Sequence, residues 1–265
     1  MRNLFVETGA TLAETDVDAK IQRTHDIARR WQRNVYLLDH DAPLLSVQAA
    51  GRPDRPRVVH PRELPKRGLG TQKGRVAMMH AVAHIEFNAI NLALDAIHRF
   101  RDMPREYYRD WLRVADEEAR HFSMVHDYLR EHNHDYGDFD AHNGLWEMAE
   151  KTGTDVLERM ALVPRVLEAR GLDVTPGIIE KLKQAEDTEA VAILEVIYAE
   201  EIGHVEIGTR WFHHVCAERG LASDPTFYQL LHKHFPNGLH GPFNLDARAM
   251  AGFSETEMRY LTADL

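Results

Sequence analysis

Two glutamates stand three residues before a histidine inside long, apolar-patterned segments: Glu118-x-x-His121 and Glu201-x-x-His204. Three residues is close to one helical turn, so the Glu and His of each pair share a face and can reach the same point. The first pair interrupts the row Trp111, Val114, Val125 and Tyr128; the second interrupts Ala190, Leu194, Ile197, Gly208, Trp211 and Val215. Both rows step by three and four, the mark of a buried helical stripe. Two more glutamates fall on such stripes, Glu86 among Met79, Val82, Ala93 and Ile97, and Glu168 after Leu157, Ala161 and Pro164. A buried carboxylate without compensation takes up a proton or is avoided, and several converging carboxylates also repel one another. Two divalent cations remove both objections, because four carboxylates balance their charge and two neutral imidazoles complete the set.

A bare Glu-x-x-His match is weak, since 22 Glu and 17 His in this chain give roughly 1.4 by chance. A third match, Glu131-x-x-His134, falls in a turn and reads as such an accident. Context strengthens the other two. Glu86 precedes Glu118 by 32 residues and Glu168 precedes Glu201 by 33, which suggests two halves, each a Glu helix followed by a Glu-x-x-His helix. Each pair also follows another glutamate, in EEARH (117–121) and EEIGH (200–204). One Glu from each of two helices and Glu-x-x-His from each of two others is the di-iron or di-manganese carboxylate pattern of ferritin-like bundles. The metal positions read from the sequence are therefore Glu86, Glu118, His121, Glu168, Glu201 and His204. Glu158 lies beside the stripe that Glu168 continues. His80 and His84 share another face of their helix and suit an orienting or packing role. His213, His214, His232, His234 and His240 read as solvated or capping residues, and Glu117, Glu200 and Glu206 as flanking charges.

Four long helical segments must position these residues, over about 75–101, 104–132, 145–170 and 186–219. Gly171 and Pro176 should break the third, leaving Glu168 near a helix end and a short helical piece over 177–185. That break, with Gly203 and Gly208, is expected to thin the wall beside the metals. After residue 75 no segment alternates with the period of two that strands need. The expected fold is all-α: an antiparallel four-helix bundle over 75–219, preceded by a helix and basic Pro-rich loop in 1–74 and followed by a helical tail in 220–265. The first helix, over 15–39, should bury Ile21, Ile27, Trp31 and Leu37 and expose a polar, basic face. The loop over 51–75 holds four prolines and a net charge of +6, and suits either plain solvation or an anionic substrate.

With 265 residues, the chain can fold without a structural metal, so a bound metal is expected to serve chemistry. Its one cysteine, Cys216, excludes an internal disulfide and cysteine-rich metal clusters, and fits a reducing cytoplasm. The opening residues lack the pattern of a secretory leader, and no stretch approaches the length of a membrane span. A net charge of −10 disfavours general nucleic-acid binding, although tRNA is not excluded as a substrate.

The strings HAVAHIEFNAINLALDA (80–96), EEARHF (117–122), RMALVPRVLEARGLDVTP (159–176) and EEIGHVEIGTRWF (200–212) resemble the ferritin-like family catalogued as domain of unknown function 455. The resemblance covers about residues 10–250. It implies a helical bundle with a di-metal centre at the six positions given above, and it supplies no substrate. Carboxylate-rich sites with one imidazole per metal suit two Fe ions, or Mn. The expected activity is that of a non-haem di-iron oxidase or oxygenase. It would use O2, an unknown small-molecule or anionic substrate, and an electron-donor reductase, as a monomer or homodimer. Iron storage or ferroxidase action without an organic substrate is the alternative, and would need a hollow cage.

Overall fold

The computed structural model describes residues 2–46, 48, 50–65 and 68–262. It is all-α apart from a two-residue parallel pairing of β1 (Arg2–Asn3) with β2 (Tyr36–Leu37). Among the described residues no helix is long and apolar enough to cross a membrane. The chain forms two compact units, residues 1–150 and 151–265.

In the first unit, α3 (Gln72–Arg99) and α4 (Arg105–Glu131) form a long antiparallel hairpin. Thr71 starts α3 by accepting the Gly74 N–H at 3.1 Å, and the turn-forming segment 100–104 ends in Pro104, which cannot continue a helix backwards. Phe87, Ile90 and Ile97 of α3 and Trp111, Phe122 and Val125 of α4 are buried, and the Phe87 and Phe122 rings meet across the hairpin. Two shorter helices brace the hairpin: α1 (Leu4–Leu12) against α3 and α2 (Val17–Gln32) against α4. In place of the single helix expected over 15–39 there are two, α1 and α2, and α2 ends at Gln32. Of the expected face, Ile27 and Trp31 are buried in α2, joined by Lys20, Thr24 and Ala28; Ile21 is half-buried, and Leu37 lies outside the helix and is exposed. The basic loop runs without regular structure up to α3 except for a 3-10 turn at Pro61–Glu63; Lys66 and Arg67 lie outside the described residues. Arg57 pins it by a bidentate bond to Asp140, at 3.1 and 2.6 Å. A helix, α5 (Gly144–Lys151), closes the unit.

The second unit is built on another hairpin. Its first arm is α6 (Val156–Leu162), a π-helical segment (Val163–Glu168) and α7 (Ala169–Gln184), and its second is α8 (Thr188–Glu218). Here the structure corrects the expectation of a helix over 145–170 broken at Gly171 and Pro176. The first turns belong to a separate helix, α5, and the arm then continues unbroken through both residues to Gln184. Pro176 has no N–H to offer the carbonyl four residues back, that of Leu172. Asn244 Nδ2 donates to that carbonyl at 3.2 Å, so the missing bond is replaced from outside the helix. The irregularity sits earlier, at Pro164, where the winding widens to the π form. Gly208 of α8 faces Pro164 so closely that a Cβ there would lie 2.3 Å from the proline ring. Gly208 therefore admits Pro164, and does not thin a wall. The tail is helical: α9 (Ser223–His234), α10 (Leu245–Met250) and α11 (Glu255–Thr262). It is anchored by Arg165, which bonds Glu257 at 2.6 Å with its guanidinium against the rings of Phe212, Phe227 and Phe253.

Candidate metal centre

In the first unit the hairpin brings Glu86 of α3 to Glu118 and His121 of α4. His121 Nδ1 lies 3.3 Å from Glu118 Oε2 and 3.3 Å from Glu86 Oε2. One ligand atom of each residue lies within 4.8 Å of those of the other two. All three are buried, Glu118 and His121 completely. Burial raises the Glu86 carboxyl well above the ordinary range, and the Glu118 charge beside it adds to the shift. Burial opposes a charge on His121, but Glu118 and Glu86 outweigh it and push the imidazole up to about 11. Two carboxylates are thus held together against water and against each other, with cationic character demanded at the point between them.

These residues fit a divalent cation. Glu86 Oε2 is buried with only His121 Nδ1, at 3.3 Å, beside it as a counterpart. Carboxylate oxygens with one imidazole nitrogen are a donor set for Fe(II), Mn(II) or Zn(II). The surroundings are apolar. Phe87 and Phe122, each next in sequence to a proposed ligand, pack with ring centroids 5.8 Å apart and are almost fully buried.

In the second unit α8 repeats the local motif, with His204 Nδ1 3.2 Å from Glu201 Oε1. His204 is completely buried and the Glu201 side chain is 14% exposed. Glu168 is buried as the last residue of the π segment. A π turn inserts extra chain into one helical turn and so re-aims the side chains around it; such turns are frequent at functional sites. Glu158, the other glutamate of this arm, is engaged elsewhere, with Lys233 Nζ at 2.6 Å and His234 Nε2 at 3.2 Å.

A second buried polar row on α3 joins His80 and His84 to Asn88 and Asn91, two residues not expected from the sequence. Spacings of four and three put them on one face, a signal present in the sequence. The histidines hold the segment after α4. Gly137 N–H donates to His80 Nε2 at 2.9 Å, and His84 bonds Tyr136 Oη at 2.8 Å and the His142 carbonyl at 3.1 Å. Of the accidental pair, His134 meets Asp138 at 3.2 Å.

The chain is thus an all-α protein with buried Glu and His sets suited to a metal ion. Residues 13–259 match the family described as "Protein of unknown function (DUF455)", and the chain belongs to that family. A protein of Haemophilus influenzae described as "Uncharacterized protein" is 50% identical over 219 residues, covering 80% of this chain and 76% of its own. No solved structure matches.

Proposed function

We propose that the protein is a non-haem di-iron oxidase or oxygenase. The observation that carries this reading is the Glu86, Glu118 and His121 set, buried in a chain that needs no metal merely to fold. Replacing three apolar core residues by carboxylates and an imidazole is costly unless they bind something. The repeat of Glu-x-x-His at Glu201 and His204, with Glu168 buried one arm earlier, supports a second metal. Together the six residues offer four negative charges and two imidazoles, the complement of two divalent ions. The fold that goes with this reading is the ferritin-like four-helix bundle.

Ferrous iron, when bound, supplies electrons for the reduction of O2 together with open coordination positions. The chain's own residues hold and shield it. Glu86 and Glu118 provide negative charge, His121 and His204 provide neutral nitrogen donors in the loaded protein, and Phe87 and Phe122 keep water from the carboxylates of the first unit. An external reductase restores the ferrous state, and the organic substrate is a small or anionic molecule. The reaction is placed in the cytoplasm, in keeping with the single cysteine.

Protein produced with iron should carry two transition-metal ions per chain by elemental analysis, and Glu118→Ala or His204→Ala should lower that content sharply. On mixing with O2, the ferrous protein should pass through a transient visible absorption to a diferric state. Full metal occupancy in both variants would remove the proposed site. A large assembly holding many irons per chain would point to storage.

A further inference from the structure

The first unit contains a cavity of about 140 Å³ between α3 and the start of the basic loop, and none of its lining residues is a proposed metal ligand. At ~30 Å³ per water it holds about five waters, or one small metabolite. One wall is apolar, formed by Phe87, Trp146, Pro53, Pro56 and Val58. The same cavity is lined by the polar side chains of Asn88 and Asn91, both more than nine-tenths buried, and by Arg52, which is solvent-exposed.

The polar wall is built and held in place. Lys20, completely buried, donates to the Leu12 carbonyl at 3.0 Å, the Gly51 carbonyl at 2.7 Å and Asn91 Oδ1 at 2.5 Å. An amine has only donors to give when charged, so it fixes which end of the Asn91 amide it meets. Asn91 Oδ1 is occupied, and what remains for the cavity is the Nδ2 group with its hydrogens. A hydrogen-bond donor on the oxygen polarises the amide and strengthens those hydrogens as donors. Arg52 adds a guanidinium near enough to His84 and Tyr136 to act on both electrostatically, and it makes no ion pair among the described residues. Tyr136 Oη and His84 are occupied with each other at 2.8 Å and add no charge. Glu150 is the one acidic residue in the lining and is solvent-exposed. An amide N–H and a guanidinium lining one cavity with aromatic and proline side chains form an amphiphilic socket.

We propose that this cavity binds a small organic carboxylate, its anionic end on Asn91 Nδ2 and Arg52 and its apolar body against Phe87 and Trp146. The site is independent of the metal reading.

Isothermal titration of the purified full chain with acetate, isobutyrate, benzoate and benzamide tests it. At least one carboxylate should bind with a 1:1 stoichiometry, and benzoate at least tenfold more tightly than benzamide, which has the same shape without the charge. Arg52→Ala, in an exposed loop position, should weaken the preferred carboxylate about tenfold with metal content unchanged. Asn91→Asp, which keeps a partner for Lys20 but presents an anion, should abolish binding while the thermal midpoint stays near that of the parent. Benzamide binding as tightly as benzoate, or no carboxylate binding at millimolar concentration, would overturn the proposal. So would binding that survives Arg52→Ala unchanged, the behaviour expected of a carboxylate held by the metals instead.

Discussion

Glu158 and Glu168 show how two residues of one type on one helical arm acquire different roles. Glu158 sits at the start of α6, where Lys233 and His234 from α9 neutralise it near the surface. The Lys233 ammonium is largely exposed, and such a pairing contributes little, about 0 to 1 kcal/mol. Glu168 is buried at the end of the π segment. Glu168→Ala should therefore lose metal or activity while Glu158→Ala keeps both, as measured by metal analysis and O2 consumption; a Glu158→Ala protein without metal would reverse the assignment. Lys20 is a second case. Burial lowers its pKa from 10.5 to about 7, with Glu14 resisting the shift. Between those two values the unfolded chain holds the proton and the folded chain does not, so stability rises with pH over that window. Below about pH 7 both states are protonated and the cost of the buried charge is fully present. Denaturant unfolding at pH 7 and pH 10 should show this gain in the parent protein and its absence in Lys20→Met; equal slopes would mean that the amine does not titrate in that range.

At the scale of the element, the arm α6–π–α7 carries two prolines with opposite consequences. Pro164 coincides with π winding, and α8 accommodates its ring by having no side chain at Gly208. Pro176 leaves an ordinary helix because Asn244 replaces the lost donor, and the same amide reaches Tyr198 Oη at 2.9 Å while the Asn244 N–H bonds Asp173 at 2.9 Å. Asn244 in turn caps α10, and Arg248 of that helix makes a bidentate bond with the buried Asp173 at 2.9 and 2.7 Å. Asn244→Ala should cost about 1 to 3 kcal/mol by leaving the Leu172 carbonyl without a donor. Pro176→Ala restores an N–H at that point, so the Asn244→Ala penalty should be smaller in the Pro176→Ala background. Strict additivity in a double-mutant cycle of denaturation free energies would show that the two do not share this carbonyl.

For the whole molecule, each compact unit has its own core, its own long hairpin and its own Glu-x-x-His motif. On the di-iron reading, loss of a ligand from either motif should lower the metal content. Glu118→Ala and His204→Ala should each reduce the content from two ions per chain towards none, with a matching loss of the metal-dependent rise in thermal midpoint. Retention of one ion in each variant would instead describe two independent mononuclear sites.

The sequence by itself determined the all-α class, the helices that carry the proposed ligands, and the burial of Glu86, Glu118, His121, Glu168 and His204. It could do so because a helical stripe is a local periodicity, and a carboxylate interrupting that stripe is visible without knowing what lies opposite. Tertiary structure decided what depends on distant partners. Gly171 and Pro176 are local breakers, but the donor that keeps α7 intact comes from Asn244, 72 residues after Leu172. A lysine in an amphipathic helix reads as solvated, yet Lys20 is buried because Leu12, Gly51 and Asn91 converge on its amine. The α1 helix is too short to be stable alone and forms against α3, where His98 Nδ1 meets the Phe5 carbonyl at 2.7 Å. The cavity beside Asn91 belongs to the same group, since its walls come from a loop, a helix and a turn that only folding brings together.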